Sequence, residues 1–312
     1  MYFFSSNTRK IICFLSFILF LGLFFSTWYN IQIPIESFEE KQEKQEKKLP
    51  KIVWTYWDSE KLPPLVEKCV NTWKKRNPNY KIRVMNPSNL STYLPEVDFK
   101  KIKHIEHSHA RYSDMVRLHL LAKYGGIWAD ASIICVKPFD EWIPQLQEKN
   151  NADLVAFYLN GYTLEDYVQK SPVIESWFLA APAESVLIKD WLKEFLRINN
   201  YDDIDRYIDD IKNEGVNIQK IDSPNYLAIH VACQKVLQQG PNKPYRFQTL
   251  KAEDTAFNYL QENKWDTDKA VQNLLDCNNG KSTNCNFMKS PIIKMRGMER
   301  QALEKKDYSS FL

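Results

Sequence analysis

The first fifty residues contain an apolar segment followed by a charged one. Residues 11–28 carry no charge over eighteen positions, and a helix of that length nearly crosses a hydrocarbon core of about 30 Å. Two basic residues precede the apolar segment and acidic residues follow it. Because Lys and Arg are enriched on the cytoplasmic side, we predict a cytoplasmic tail at 1–10, a membrane anchor at 11–29 and a stem at 30–49. A cleaved signal peptide is the alternative, although no typical cleavage site follows.

From residue 50 onwards, strand-like and helix-like patterns alternate. Residues 51–57 are β-branched and aromatic and predict a strand, 63–78 predict a helix, and 80–86 predict a second strand. This order indicates an α/β fold with a parallel sheet, in which ligands bind at the carboxyl ends of the strands. Further strands are predicted at 127–136, 153–159 and 176–182, and further helices at 107–126, 185–197, 225–239 and 252–263.

Composition narrows the classes of function. Of the 312 residues 44% are hydrophobic, so residues 50–312 suffice for one α/β domain with its own core. Lys and Arg total 42 against 39 Asp and Glu, a net charge of +3, and the two signs are interspersed. We therefore expect no nucleic-acid partner.

A lone acid, Asp130, separates two apolar segments. Burying an unpaired carboxylate is costly, so this side chain is expected to be paired or to bind a metal. On the preceding predicted helix, Asp114 and Arg117 are three residues apart and share a face, and Ser113 lies one turn before Arg117. An ion pair on a solvated helix face is the alternative for Asp114 and Arg117.

The block SDMVRLHLLAKYGGIWADAS at 113–132 resembles the S-D-x-x-R and YGG-x-x-x-D-x-[DST] motifs of capsular polysaccharide synthesis proteins, relatives of the family 32 glycosyltransferases. The segments PKIVWTYW, NPNY and SPIIKM resemble that family's other motifs, in the same order. The resemblance implies a GT-A-like fold, a nucleotide-sugar donor and a divalent cation, Mn²⁺ or Mg²⁺.

The resemblance also implies roles for particular residues. Asp130 and Ser132 occupy the metal-binding positions, where oxygen ligands suit Mg²⁺ or Mn²⁺, although Ser132 stands in place of a second acid. Asp114 and Arg117, with Ser113, are expected to hold hydroxyl groups of the donor. Gly126 is also expected to contact the donor. The residues expected to be catalytic are Asp130, Asp114 and Arg117.

Three aromatic residues lie near the end of the first predicted strand. Trp54, Tyr56 and Trp57 are candidates for stacking on the nucleotide base. Core packing is the alternative for Trp54 and Trp57, and alternation along the strand favours Tyr56. Near the C-terminus, Lys294 and Arg296 either meet the donor's diphosphate or lie on the surface.

Two other features have more than one interpretation. His230 lies in an apolar helical segment and is expected to pack in the core rather than bind a ligand. Cys277 and Cys285 flank a polar loop and form either a disulfide, which an exported domain permits, or a reduced pair.

These features predict a single-pass type II membrane glycosyltransferase with a cytoplasmic N-terminus and an exported catalytic domain, lumenal in the ER or Golgi of a eukaryotic cell. The expected partners are a nucleotide-sugar donor, a glycan or polysaccharide acceptor and the membrane. The resemblance implies retention of the anomeric configuration. A membrane-tethered GT-A-like module that binds carbohydrate without catalysis is the alternative, since position 132 lacks the second acid.

Overall fold

The computed structural model describes residues 48–106, 108–283, 285–309 and 311. The predicted tail and anchor, and nearly all of the predicted stem, lie outside the described residues. Within the described ranges, no helix combines the length and the apolar character needed to cross a bilayer.

In this part of the chain, two sheets are formed by the strands β1 (Ile52–Tyr56), β2 (Lys81–Met85), β3 (Gly126–Ala129), β4 (Ile133–Cys135), β5 (Leu154–Tyr158), β6 (Ile174–Ala181), β7 (Phe247–Lys251) and β8 (Ile292–Lys294). The larger sheet has the order β2-β1-β3-β6-β5-β7, and β4 pairs antiparallel with β8.

The α/β class predicted from the sequence is confirmed, and β1 pairs parallel with β2 and β3, as the strand–helix–strand order predicts, but the sheet as a whole is mixed. Strand β6 runs antiparallel to both β3 and β5. The connection from β5 to β6 contains two short 3₁₀ turns, Asn160–Tyr162 and Glu165–Tyr167, and no α-helix. A parallel return usually needs a helical crossover, so the chain returns in the opposite direction.

The described helices are α1 (Pro64–Arg76), α2 (Leu90–Tyr93), α3 (His109–Tyr124), α4 (Ile143–Asn150), α5 (Val186–Phe195), α6 (Ile204–Asn213), α7 (Ala228–Gln239), α8 (Asn258–Glu262), α9 (Thr267–Asn278) and α10 (Gly297–Glu304). The pattern does not predict α2, α4, α6, α9, α10, β7 or β8. The helix expected over 252–263 is reduced to α8, because Phe257 closes a turn by donating its N–H to the Ala252 carbonyl, at 2.7 Å.

A hydrophobic core lies on each face of the larger sheet. Val53 and Trp54 are adjacent in β1 and belong to different core clusters, because successive strand residues point to opposite faces. Trp54 packs with residues of α3, α5 and α7. Val53 packs with residues of α1 and α9. Helices on both faces hold the strand ends of this sheet in fixed positions.

Candidate active site

Helix α3 has well-defined ends that fix its position against the sheet. At its start, the Ser108 hydroxyl accepts a hydrogen bond from the Arg111 N–H, at 3.2 Å. At its end, Gly125 has φ +62° and donates its N–H to the Leu121 carbonyl, at 2.9 Å. A Cβ on Gly125 would lie 2.3 Å from the backbone nitrogen of Ala183. Only glycine therefore allows this close passage from α3 into β3.

A cleft of about 690 Å³ opens at the carboxyl ends of β1 and β3, where α/β proteins usually bind ligands. Because β6 is antiparallel, its early residues Glu175 and Ser176 lie at the same edge of the sheet and also line the cleft. The cleft brings together most of the site residues predicted from the sequence: Tyr56, Trp57, Ser113, Asp114, Arg117, Asp130 and Ser132.

Arg117 is the centre of the polar network in this cleft. Its side chain is only 6% exposed, and its Nη1 and Nη2 atoms lie 2.6 Å from Asp114 Oδ1 and 3.2 Å from Asp130 Oδ1. It also donates hydrogen bonds to the hydroxyls of Ser176 and Ser113. The guanidinium thus orients two carboxylates at once, so the alternative of an ion pair on a solvated helix face is wrong.

Lys294 completes the network from the distant C-terminal part of the chain. Its Nζ lies 2.8 Å from Asp130 Oδ2 and 2.9 Å from the Ser132 hydroxyl. That hydroxyl in turn donates to the Met295 carbonyl, at 2.8 Å. The pairing of β4 with β8 places Lys294 opposite Ile133 and therefore beside Ser132. Of the two roles open for Lys294 in the sequence, the surface role is excluded.

The two carboxylates experience different electrostatic environments. Burial opposes ionisation of Asp130, but the charges of Lys294 and Arg117 outweigh it and hold the pKa of this carboxyl below its ordinary value. For Asp114, burial is the larger effect and raises the pKa above its ordinary value, although Arg117 offsets part of the rise. Two acids whose pKa values are pushed apart are a common feature of catalytic sites.

The donor atoms of Asp130 and Ser132 do not fit a divalent cation in this arrangement. Asp130 Oδ1 already accepts hydrogen bonds from Arg117 and from the Trp128 indole, at 3.2 and 3.0 Å. The Lys294 ammonium lies between Asp130 Oδ2 and Ser132, where Mg²⁺ would need oxygen ligands at about 2.0–2.1 Å. Within the described ranges, no three His, Cys, Asp or Glu side chains are grouped to hold a metal ion.

The three aromatic residues predicted for base stacking are in different environments. Tyr56 and Trp57 line the cleft; the Tyr56 ring lies 5.3 Å from that of Tyr112, and the Arg300 guanidinium lies 5.3 Å from the Trp57 ring. Trp54, in the middle of β1, is 1% exposed and packs in the core, and its indole N–H donates to the Gly125 carbonyl, at 2.9 Å. The prediction that Trp54 stacks on a base is therefore wrong.

Gly126 has a structural part in the site. Its φ is +95°, and a Cβ there would lie 2.5 Å from Ile52 Cγ2 and 2.7 Å from the Ile52 carbonyl oxygen. The residue is buried within β3 and does not line the cleft. Gly126 therefore allows β3 to approach β1, and its expected contact with the donor is replaced by this packing role.

Sequence reasoning misses several residues of the cleft wall. His230 is buried as expected, but it also lines the cleft, and its Nε2 lies 3.8 Å from Glu175 Oε2. Arg300, which the sequence analysis does not single out, lines the cleft together with Lys294 and Arg296. It lies four residues after Arg296, about one helical turn away, and this spacing is the signal in the sequence that would have added it.

Of the two states expected for Cys277 and Cys285, the structure shows the disulfide. Cys277 and Cys285 are bonded, with an S–S distance of 2.02 Å, and this bond closes the loop after α9. The other cysteines among the described residues, Cys69, Cys135 and Cys233, are free and buried. None of these cysteines lines the cleft.

The fold and the cleft define an α/β protein with a charged, partly aromatic cavity at the end of a mixed sheet. Residues 24–263 match the family of capsular polysaccharide synthesis proteins. The chain belongs to this family, as the order of its motifs predicts.

Two fungal enzymes are among the curated relatives. The initiation-specific alpha-1,6-mannosyltransferase of Candida albicans is 28% identical over 154 residues, which cover 43% of this chain and 40% of that protein. A glycosyltransferase of Aspergillus fumigatus is 26% identical over 159 residues, covering 46% of this chain and 39% of the relative. The chain thus spans about two fifths of the length of these relatives.

Two of the solved structures that align with this chain, at low identity and low TM-score, are described as glycosyltransferases. One is an enzyme involved in glycosylation of the major capsid of PBCV-1, with 10% identity, a TM-score of 0.41, and coverage of 82% of this chain and 98% of that one. Another is the galactosyltransferase LgtC in complex with donor and acceptor sugar analogues, with 11% identity, a TM-score of 0.38, and coverage of 82% and 96%.

Proposed function

We propose that this protein is a glycosyltransferase that moves a sugar from a nucleotide-sugar donor to a glycan or polysaccharide acceptor. The observation that supports this most directly is the cleft in which Arg117 holds both Asp114 and Asp130 while Lys294 binds Asp130 from the other side. Such a network places fixed positive and negative charges where a bond to a phosphate group would break. We further propose that the domain is GT-A-like.

The cationic wall of the cleft is the proposed site of the donor's diphosphate. Arg296 pairs with Glu299, at 2.7 Å, whereas Arg300 has no carboxylate partner among the described residues and contacts the Trp57 ring instead. A guanidinium without a counter-ion at the mouth of a cleft attracts an anionic ligand. The nucleotide base is proposed to lie against Trp57 and Tyr56, whose rings present apolar faces to the same cavity.

Asp114 is proposed to accept hydrogen bonds from hydroxyl groups of the transferred sugar. A carboxylate is an acceptor only, and Arg117 fixes its orientation through the 2.6 Å contact to Oδ1. In the transfer step, the bond from the anomeric carbon to the diphosphate oxygen breaks, a bond from that carbon to the acceptor hydroxyl oxygen forms, and the hydroxyl proton passes to the leaving diphosphate. Lys294 and Arg300 stabilise the negative charge that develops on the leaving diphosphate. From family membership, we propose that the anomeric configuration is retained.

The sequence also supports a proposal for cellular location. We propose that residues 11–29 anchor the protein as a type II membrane protein and that the domain from residue 50 lies on the exported side. Protease treatment of sealed microsomes tests this proposal. Protection of the domain is the expected result, and digestion from the cytoplasmic side would contradict it.

Donor cleavage tests the proposed activity. Full-length protein in detergent is incubated with a panel of UDP- and GDP-sugars, and the released nucleoside diphosphate is measured. We expect release from at least one donor, reduced about a hundredfold or more in Asp114→Asn, a loss of about 2.7 kcal/mol in transition-state stabilisation. Asp202→Asn is the control, because that side chain is 84% exposed. Sugar binding without release from any donor would instead show the non-catalytic carbohydrate-binding module.

A further inference from the structure

We propose that the Lys294 ammonium acts as a built-in cation at the position where Asp130 and Ser132 would otherwise hold a divalent metal ion, so that donor binding and cleavage need no metal. The inference rests on the proposed glycosyltransfer. It goes beyond that proposal because the family resemblance implies a divalent cation, whereas we infer that none is needed. It assigns the role of that cation to a side chain of this protein.

The position of the ammonium is the first argument. Lys294 Nζ is almost equally distant from Asp130 Oδ2 and the Ser132 hydroxyl, at 2.8 and 2.9 Å. An ammonium has three N–H donors, and these two contacts are the hydrogen bonds that Nζ makes within the described part of the chain. The third N–H remains for an oxygen of the donor's diphosphate.

The backbone around Lys294 is held so that the ammonium is preorganised. The Lys294 N–H donates to the Ala256 carbonyl, at 3.0 Å, and the Tyr259 hydroxyl donates to the Lys294 carbonyl, at 2.9 Å. The residue is 8% exposed and lies in β8, which pairs with β4. A charge that is fixed before the reaction stabilises a developing anion without the cost of reorganisation.

The charge of the pocket is the second, independent argument. A motif with two acids presents two negative charges and suits a divalent ion, whereas here Ser132 leaves Asp130 as the only acid of the motif. One carboxylate is matched by one ammonium. The Ser132 hydroxyl hydrogen is directed to the Met295 carbonyl, so an oxygen lone pair is left to accept from Lys294. The wider network of Asp114, Asp130, Arg117 and Lys294 is thereby neutral without a metal.

Nucleotide and metal binding are the decisive measurements. UDP and GDP are titrated into the full-length protein by calorimetry, in EDTA and in Mn²⁺, and Mn²⁺ binding is followed by electron paramagnetic resonance. For the wild type we expect the same nucleotide affinity in both conditions and no bound Mn²⁺. Lys294→Met should lower that affinity at least tenfold. Lys269→Met, at a side chain that is 74% exposed on α9, is the matched control and should not change it.

A double variant gives a positive signal that a misfolded protein would not give. Ser132→Asp combined with Lys294→Met restores two acids and removes the ammonium, so it should bind Mn²⁺ and bind the nucleotide only when Mn²⁺ is present. If the wild type binds the nucleotide at least tenfold more tightly in Mn²⁺ and loses nucleotide binding in EDTA, the inference is overturned while the proposed activity stays in place. A wild type that binds neither nucleotide in either condition would overturn the proposed function and this inference together.

Discussion

Replacing Arg117 by methionine tests the electrostatic centre of the cleft. The side chain is 6% exposed and lies 2.6 Å from Asp114 and 3.2 Å from Asp130. Methionine preserves much of the side-chain volume but removes the guanidinium. Asp130 keeps Lys294 as a partner, whereas Asp114 loses its direct ion pair in a buried position.

The expected loss of stability follows from the burial of the Arg117–Asp114 ion pair. Removing one partner of a buried ion pair costs about 3–5 kcal/mol, and the remaining Asp130–Lys294 contact favours the lower end. For a domain of this size, each kcal/mol lowers the melting temperature by about 2–4 °C. Arg117→Met should therefore melt about 6–12 °C below the wild type at pH 7.5.

The pH dependence of this loss has a defined sign. Burial already raises the pKa of Asp114 in the presence of Arg117, and removing Arg117 should raise it further. When the pKa of an acid is higher in the folded than in the unfolded state, its ionised form destabilises the folded state. This destabilisation is complete above the folded pKa and becomes smaller as the pH falls and the acid is protonated. The difference in melting temperature from the wild type should narrow between pH 7.5 and pH 5.

Thermal unfolding at both pH values is the assay, with Arg206→Met as the control. Arg206 pairs with Asp202 and Asp203 on the surface and is 70% exposed, so its loss should cost less than about 1 kcal/mol. If Arg117→Met melts within a few degrees of the wild type at pH 7.5, or if the difference is the same at pH 5, Arg117 does not have this electrostatic role.

Two further predictions concern the same part of the fold. Gly126→Ala should cost at least about 2 kcal/mol in urea unfolding, because φ is +95° and the new Cβ would lie 2.5 Å from Ile52; Gly280→Ala, with φ +69° and open space around it, should cost only about 1 kcal/mol, and equal losses would contradict the packing role. Burial lowers the pKa of His119 to about 4, so stability should fall as the pH drops from about 6.5 to 4. In His119→Gln this part of the fall in stability should be absent. A pH profile of stability that is the same as that of the wild type would contradict the contribution of His119.

The part of the site that the sequence predicts is built from local patterns. Helix α3, the glycines that end it and Asp130 are close together in the chain, so capping and spacing indicate their arrangement before any tertiary contact is known. The burial of Trp54 does not follow from alternation along β1, because Trp54 and Tyr56 are two positions apart and share a face. Trp54 lies in the middle of the strand, whereas Tyr56 ends it and Trp57 follows it, where the cleft opens.

The part that the sequence does not predict depends on contacts between distant residues. Lys294 lies 164 residues after Asp130, and the two meet because β4 pairs with the short strand β8. A three-residue strand carries too little pattern to be recognised in advance. The antiparallel direction of β6, which brings Ser176 to Arg117, likewise depends on a connection without a helix. These long-range pairings decide which cation Asp130 meets.

Release of nucleoside diphosphate by the Asp130→Asn variant, measured per folded molecule, is the decisive test of whether this carboxylate takes part in the transfer. The protein is incubated with a donor that the wild type cleaves, and the folded fraction is determined on the same preparation by thermal unfolding. We expect release to fall at least a hundredfold relative to the wild type while Asp202→Asn is unchanged, because the carboxylate positions the cations that stabilise the leaving group. Lower stability with an undiminished rate per folded molecule would contradict it, since Asp130 would then support the fold alone and take no part in the transfer.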